Sequence, residues 1–428
     1  MNGSELTSWR DVLDGLSEFE CAVEFLRFKV DFPYSLDTVV YAALVLKPGM
    51  EYPFFIPLFE ERELTKEIHL MANRSQINDL YKFSLQGESN ELHRLIWEQL
   101  EGEMNGVRKI YCSPIGELNR INLGAIPINR SSTFGDQYDL VLVGSTRQLV
   151  VKEPKLQDGE DRTAYVLGGV HYQCDSTFVS DRDLIADRGD DNLDDTFSDS
   201  TYRGTVLRYL PHSMEEAIDV QALLTNTGFS VQLDTAQLAT EAAFKQLGSN
   251  GPSPSIIHAA THGYFFPDPK LNKDGVAEVN STNAYRMAVQ PLMRSGILLS
   301  CSAEAWSAGG GTDGSEDGVL TAYEISQMDL RGTELVVLSA CETALGDIVG
   351  TEGVYGLQRA FRIAGVKNLI MTLWKVNDAV SKQFFTGFYE YYIKDKMSIH
   401  DAFRTAQSDL RKLYPESPYL WAGFILLQ

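Results

Sequence analysis

Short apolar runs, broken by turn residues and by longer segments with helical spacing, recur along this chain. Thr38 to Leu46 and Phe54 to Leu58 read as strands on either side of a Lys-Pro-Gly turn. Leu92 to Met104 carries apolar residues at i, i+3 and i+4 and predicts a helix. Val107 to Cys112, Asp139 to Val143 and Ala164 to Leu167 predict three more strands. After Thr205 the alternation of strand and helix is clean. Ser213 and Glu216 have the spacing of a capping box before an amphipathic helix that stops at Gly228. Strands are predicted at Ser230 to Leu233, Ser255 to Thr261, Gly296 to Leu299, Glu334 to Ala340 and Asn368 to Leu373, with a helix over Glu352 to Ala364. Such alternation is the mark of a doubly wound α/β fold, a mostly parallel sheet flanked by helices.

Asp181 to Ser200 breaks the pattern, being acidic and polar with little periodic hydrophobicity. It reads as a mobile loop or linker. Its carboxylates leave calcium activation as an option, although the stretch lacks the spacing and central Gly of an EF-hand loop; no other cofactor is expected. Gly309 to Gly314 fits a dinucleotide fingerprint by letter, but it follows a polar segment and opens no helix, so it reads as a flexible loop.

Length, charge and cysteine usage narrow the class. With 428 residues the chain exceeds one compact core, which predicts two domains. A net charge of −22 argues against nucleic acid as a direct partner. No run of 18 or more apolar residues is present, so no membrane span is expected, and the opening residues lack a secretory pattern. The five cysteines, Cys21, Cys112, Cys174, Cys301 and Cys341, are odd in number and form no CxxC. A disulfide framework or zinc site is not expected, and a reducing, cytoplasmic setting fits.

Two predicted strands end on reactive side chains. Ser255-Ile-Ile-His-Ala-Ala-Thr runs into His262 and Gly263, and Leu335-Val-Val-Leu-Ser-Ala runs into Cys341 and Glu342. In open parallel α/β sheets, sites sit at the C-terminal strand edge. A thiol and an imidazole there make a cysteine nucleophile and a base. A thiol at a strand-to-helix transition would gain acidity from the helix N-terminus. Gly263 would permit a tight turn and close approach of backbone to a ligand. His258 stands roughly 13 Å from His262 along a strand, too far to share a metal, and is a core position. The other four cysteines are structural. A third strand end, Thr372-Leu-Trp374-Lys-Val-Asn-Asp378, would line the cleft, with Trp374 against a substrate side chain. Asp378 would pair with a basic group or act as the N-cap of the next helix.

These segments resemble the CHAT domain, a caspase-like family related to gingipains and separase and often attached to tetratricopeptide repeats. HAATHGYF is similar to its histidine motif and LVVLSACETALG to its cysteine motif. Glu352 to Phe361, LWKVND, Ser398 to Leu413 and Trp421 to Leu426 follow in order, and Cys112 to Ile126 and Asp317 to Ile325 also fit. The resemblance covers roughly residue 20 onward. It implies a degenerate caspase-like half over residues 1–203 and a catalytic half over 204–428. It implies a cysteine endopeptidase acting on a protein or peptide, with Cys341 as nucleophile, His262 as base and acid, and the backbone N–H groups of Gly263 and Cys341 as the oxyanion hole. Asp378, Trp374 and Glu342 are the expected substrate contacts. Separase reads LWDVTD where this chain reads LWKVND; Lys375 in place of an Asp sets a basic P1 residue against an uncharged, aliphatic one. Self-cleavage within 181–200, at Arg182 or Arg188, and regulation by a repeat domain or partner protein are further expectations. The alternatives are a catalytically silent binding or scaffold module and acyl transfer or ester hydrolysis by the same thiol.

Overall fold

The structure, a computed structural model, describes residues 7–32, 35–69, 71, 73–83, 90–150, 162–174, 207–268, 284–308, 316–340, 343–348 and 354–428. The acidic stretch 181–200, the Gly-rich 309–314, and Cys341 with Glu342 lie outside the described residues. Two compact units divide the chain. The first comprises 1–160, 348–353 and 426–428, and the second 161–347 and 354–425.

The first unit is built on strands β1 (Glu20–Phe32), β2 (Ser35–Leu46), β3 (Phe54–Glu60), β4 (Lys109–Ser113) and β5 (Asp139–Leu142), in the order β3-β2-β1-β4-β5. The β1–β2 and β2–β3 pairs are antiparallel, while β4 runs parallel to both β1 and β5. Its core centres on Trp97, fully buried and stacked on Phe134 with ring centroids 3.8 Å apart. The predicted helix over Leu92 to Met104 is in fact a helix Glu91–Ile96 followed by a 3₁₀ turn Glu101–Met104.

The second unit carries β6 (Thr163–Val170), β7 (Ser230–Ala236), β8 (Ile256–Ala260), β9 (His262–Phe265), β10 (Ser295–Leu298), β11 (Val319–Thr321), β12 (Leu335–Ser339), β13 (Gly346–Ile348), β14 (Val354–Gly356) and β15 (Asn368–Thr372). Its main sheet has the order β15-β12-β8-β6-β7, and every pair is parallel. The expected α/β class holds: β8 is buried throughout and β12 as far as Leu338, and both are apolar but for His258 and Ser339, as befits central strands of a parallel sheet. Helix Pro211–Asn226 packs on β6 at a point where a Cβ on Gly168 would meet the Ala217 Cβ at 2.7 Å. β6 pairs with β7 and β8 and so belongs to this unit; the boundary falls before it and not at residue 203.

Three further readings are corrected. The run near Gly296 to Leu299 is not a parallel strand. It forms β10, the centre of an antiparallel sheet β11-β10-β9. Ser213 and Glu216 do not cap a helix that begins at Pro211 with Leu210 as N-cap. Both are buried inside it: Ser213 accepts the Gly169 N–H at 3.0 Å, and Glu216 faces His258. Lastly, Cys174 and Cys301 are joined as a disulfide, where no bridge was expected. Cys21 and Cys112 are free and buried.

Candidate active site

Register places the two strand ends side by side. β8 and β12 are adjacent and parallel, with Ala260 opposite Ser339, and the Thr261 N–H donates to the Ser339 carbonyl at 3.2 Å. The described ends of the two strands, Ala340 and Thr261, thus lie together at the C-terminal edge of the sheet; in sequence they are followed by Cys341, outside the described residues, and by His262. Both described flanks of the cysteine are tied to the tip of β15. The Ala340 carbonyl accepts from the Thr372 hydroxyl at 2.6 Å and from the Thr343 hydroxyl at 3.1 Å. The Thr372 N–H donates to the Thr343 oxygen at 3.2 Å, and the Ala344 N–H donates to the Thr372 carbonyl at 3.0 Å. Thr343 is followed by a turn and β13, and the next helix starts at Leu357. Among the described residues, no helix begins between Thr343 and Leu357, where the expected acidifying N-terminus would lie.

His262 opens β9 and is half-buried. Its Nε2 lies 2.7 Å from the Arg208 carbonyl oxygen. A carbonyl only accepts, so the neutral ring carries its proton on Nε2 and leaves the lone pair on Nδ1. Around the ring a directed chain of hydrogen bonds runs through Tyr172. Thr261 donates its hydroxyl to the Leu298 carbonyl, the Tyr172 hydroxyl lies 3.1 Å from that same Thr261 oxygen, and the His262 N–H donates to the Tyr172 oxygen at 3.3 Å. The Tyr172 ring packs against the imidazole with centroids 5.0 Å apart. Gly263 sits in β9 opposite Ile297 and outside the left-handed region, so it forms no tight turn.

Burial holds the His262 imidazole below its usual range; the Arg208 carbonyl opposes this, Lys375 lowers it further and Asp378 raises it. The folded protein thus favours the neutral ring. The stability this group contributes is present above the unfolded value and lost as pH falls through the folded one. A histidine NMR titration is expected to give a His262 midpoint below about 6.5; a midpoint at or above that value would refute the burial account.

The third strand end is arranged differently from the expectation. Trp374 is only 2 % exposed, its indole N–H donates to the Tyr419 carbonyl at 2.9 Å, and its ring stacks on Tyr419. This is a core placement. Asn377, not Asp378, is the N-cap of helix Asp378–Tyr389, accepting from the Ala379 and Val380 N–H groups. Asp378 accepts the His212 N–H at 3.2 Å, near the start of helix Pro211–Asn226. Lys375 is exposed. His258 is wholly buried and bonded to Glu216, which fits a core role. Sequence reasoning missed the Arg208 carbonyl, Tyr172, Thr343 and Thr372. A backbone carbonyl has no sequence signature, and Tyr172 was marked only by its place just past β6. Among the described residues, no group of three His, Cys, Asp or Glu side chains is placed to hold a metal, and no helix is long and apolar enough to cross a membrane.

The family model described as CHAT domain matches residues 86–428. Tetratricopeptide repeat protein 28 of Mus musculus is 35% identical over 113 residues, which is 26% of this chain and 4% of that protein. Its counterpart from Homo sapiens is 31% identical over 112 residues, with the same shares covered. The chain thus matches a small part of these relatives' length. Among solved structures, the Arg-specific cysteine proteinase gingipain R is similar at 10% identity and a TM-score of 0.45, covering 86% of this chain and 74% of that one. The Saccharomyces cerevisiae separase–securin complex is similar at 10% identity and a TM-score of 0.48, covering 97% and 30%.

Proposed function

We propose that this chain, which belongs to the CHAT domain family, is a cysteine endopeptidase with Cys341 as nucleophile and His262 as base. In this reading, His262 Nδ1 takes the thiol proton and Cys341 Sγ attacks the scissile carbonyl carbon. The resulting oxyanion is held by the N–H groups of Gly263 and Cys341. His262 returns the proton to the leaving amine, and a thioester remains. Water, deprotonated by His262, attacks the thioester carbonyl; the acid product leaves and the thiol is restored. One observation carries the reading: β8 and β12 end in matched register, with His262 Nε2 fixed on Arg208 and both flanks of Cys341 fixed on Thr372.

The substrate is a protein or peptide. Asp378 and Lys375 bring one charge of each sign to the electrostatics of His262. Basic and aliphatic P1 residues are therefore the two classes to compare. Self-processing at Arg182 or Arg188 belongs to the same proposal, and both residues lie outside the described ones. The related proteins are named for tetratricopeptide repeats, and a repeat domain or partner protein is the proposed regulator. A diverse peptide library, incubated with the protein and with Cys341→Ala, with and without calcium, tests the reading. Cleavage by the wild type that vanishes in the variant is expected. No cleavage under any condition would favour a silent scaffold.

A further inference from the structure

We propose that Cys174 and Cys301 form a thiol–disulfide redox site whose state sets how firmly Tyr172 holds His262, with a low-molecular-weight thiol of the glutathione class as co-reactant. The two residues are 127 apart in sequence, and their Cα atoms lie 4.7 Å apart, within bridging range. Cys174 is exposed and Cys301 half-buried, so an external thiolate can reach the bond. The remaining described cysteines are unsuited to such exchange. Burial pushes the Cys21 thiol up to about 12 and the Cys112 thiol well above its usual range, and neither forms a thiolate readily.

The bridge is wired to the base through Tyr172. Tyr172 lies two residues before Cys174. The Cys301 N–H donates to the His171 carbonyl at 3.2 Å, and the Ala303 N–H to the Tyr172 carbonyl at 2.9 Å. Tyr172 in turn accepts the His262 N–H and packs on its ring. Cys301 holds a left-handed backbone, φ 67°, which a non-glycine side chain disfavours. Such a residue persists where its surroundings fix it, and the cross-link to Cys174 is one of those constraints.

The exchange balances. An external thiolate attacks the exposed Cys174 sulfur, and a mixed disulfide forms as the Cys301 thiolate leaves and is protonated. A second external thiol attacks the mixed disulfide, releases Cys174 as a thiol and departs as the oxidised co-reactant. Two electrons and two protons reach the protein, and the oxidised co-reactant reverses the sequence. Opening the bridge releases Cys174 from Cys301 and loosens the ring of Tyr172 over His262. In an oxidising compartment the bridge is closed, and in a reducing one it is open.

The effect on turnover rests on the peptidase reading; the redox site and its grip on His262 do not. The protein is equilibrated in glutathione buffers from fully oxidising to fully reducing, quenched in acid, denatured, alkylated and weighed. Of five cysteines, two are bridged, so three alkyl groups are expected at the oxidising end and five at the reducing end, reversibly. On native samples held in the same buffers without quenching, the His262 NMR titration midpoint is expected to rise toward the ordinary imidazole value when the bridge opens, because burial is what lowers it. Cys174→Ser with Cys301→Ser should titrate like the reduced wild type in every buffer. Five alkyl groups throughout, or a His262 midpoint that ignores the bridge, would overturn the proposal. Neither readout requires turnover, so an inactive protein leaves both interpretable.

Discussion

His262→Ala is expected to lower kcat/KM for peptide cleavage by about a thousandfold while the fold survives. A cysteine thiol at neutral pH is only a few per cent thiolate, so attack needs a base in reach. A positioned base contributes on the order of a hundred- to ten-thousandfold, and this histidine would serve both half-reactions. The geometry supports the upper half of that range. The Arg208 carbonyl fixes the ring and its tautomer, and Tyr172 packs against its face. Stability should change little. The backbone of residue 262 stays in the β9–β10 ladder opposite Leu298 whatever its side chain, and the lost bond to Arg208 costs about 1 kcal/mol. Steady-state kinetics on a substrate found in the peptide library, beside a thermal melt, measures both effects. A loss below about tenfold would remove His262 as the base. A collapsed melting temperature would show that the side chain serves the fold.

The parts of this site that were legible in the sequence share a physical cause. β8, β12 and β15 are buried strands of a parallel sheet, and such strands are written as near-continuous apolar runs. The change to polar or reactive letters at their C-terminal ends marks the sheet edge. β1 was equally legible and overlooked: Leu26, Phe28, Val30 and Phe32 alternate strictly with polar residues. What escaped depends on partners that are distant in sequence. The run at β10 has the letters of a parallel strand, but its pairing with β9 and β11 makes it antiparallel. Ser213 and Glu216 have capping-box spacing, yet the Gly169 N–H and His258 compete for their oxygens and win in the buried setting. The Cys174–Cys301 bridge depends on β6 and β10 leading into neighbouring loops, which spacing cannot show. The same holds for a carbonyl at Arg208.

Glu216→Ala is expected to destabilise the protein by about 3 kcal/mol. Glu216 is 1 % exposed and His258 is wholly buried, and Oε1 of the first lies 2.9 Å from Nε2 of the second. On the other side of the ring, the Tyr389 hydroxyl stands 3.3 Å from Nδ1. The pattern closes if Tyr389 donates to Nδ1 and Nε2–H donates to the Glu216 carboxylate. Truncation to Ala leaves that N–H buried without its acceptor, which costs about 1–3 kcal/mol, and deletes one packed methylene at about 1 kcal/mol. Glu216→Gln keeps the acceptor oxygen and nearly the same volume, so it should recover most of the loss. The contrast separates the carboxylate's charge from its acceptor oxygen and volume taken together, and urea unfolding of the two variants at neutral pH reads it directly. An Ala variant that loses less than about 1 kcal/mol would mean that the pair carries little of the core's stability. The consequence reaches the site, because His258 lies in β8 four residues before His262. A core that fails to hold β8 also fails to present the imidazole at its end. The Ala variant should therefore lose cleavage activity in step with its unfolding, whereas the Gln variant should retain both.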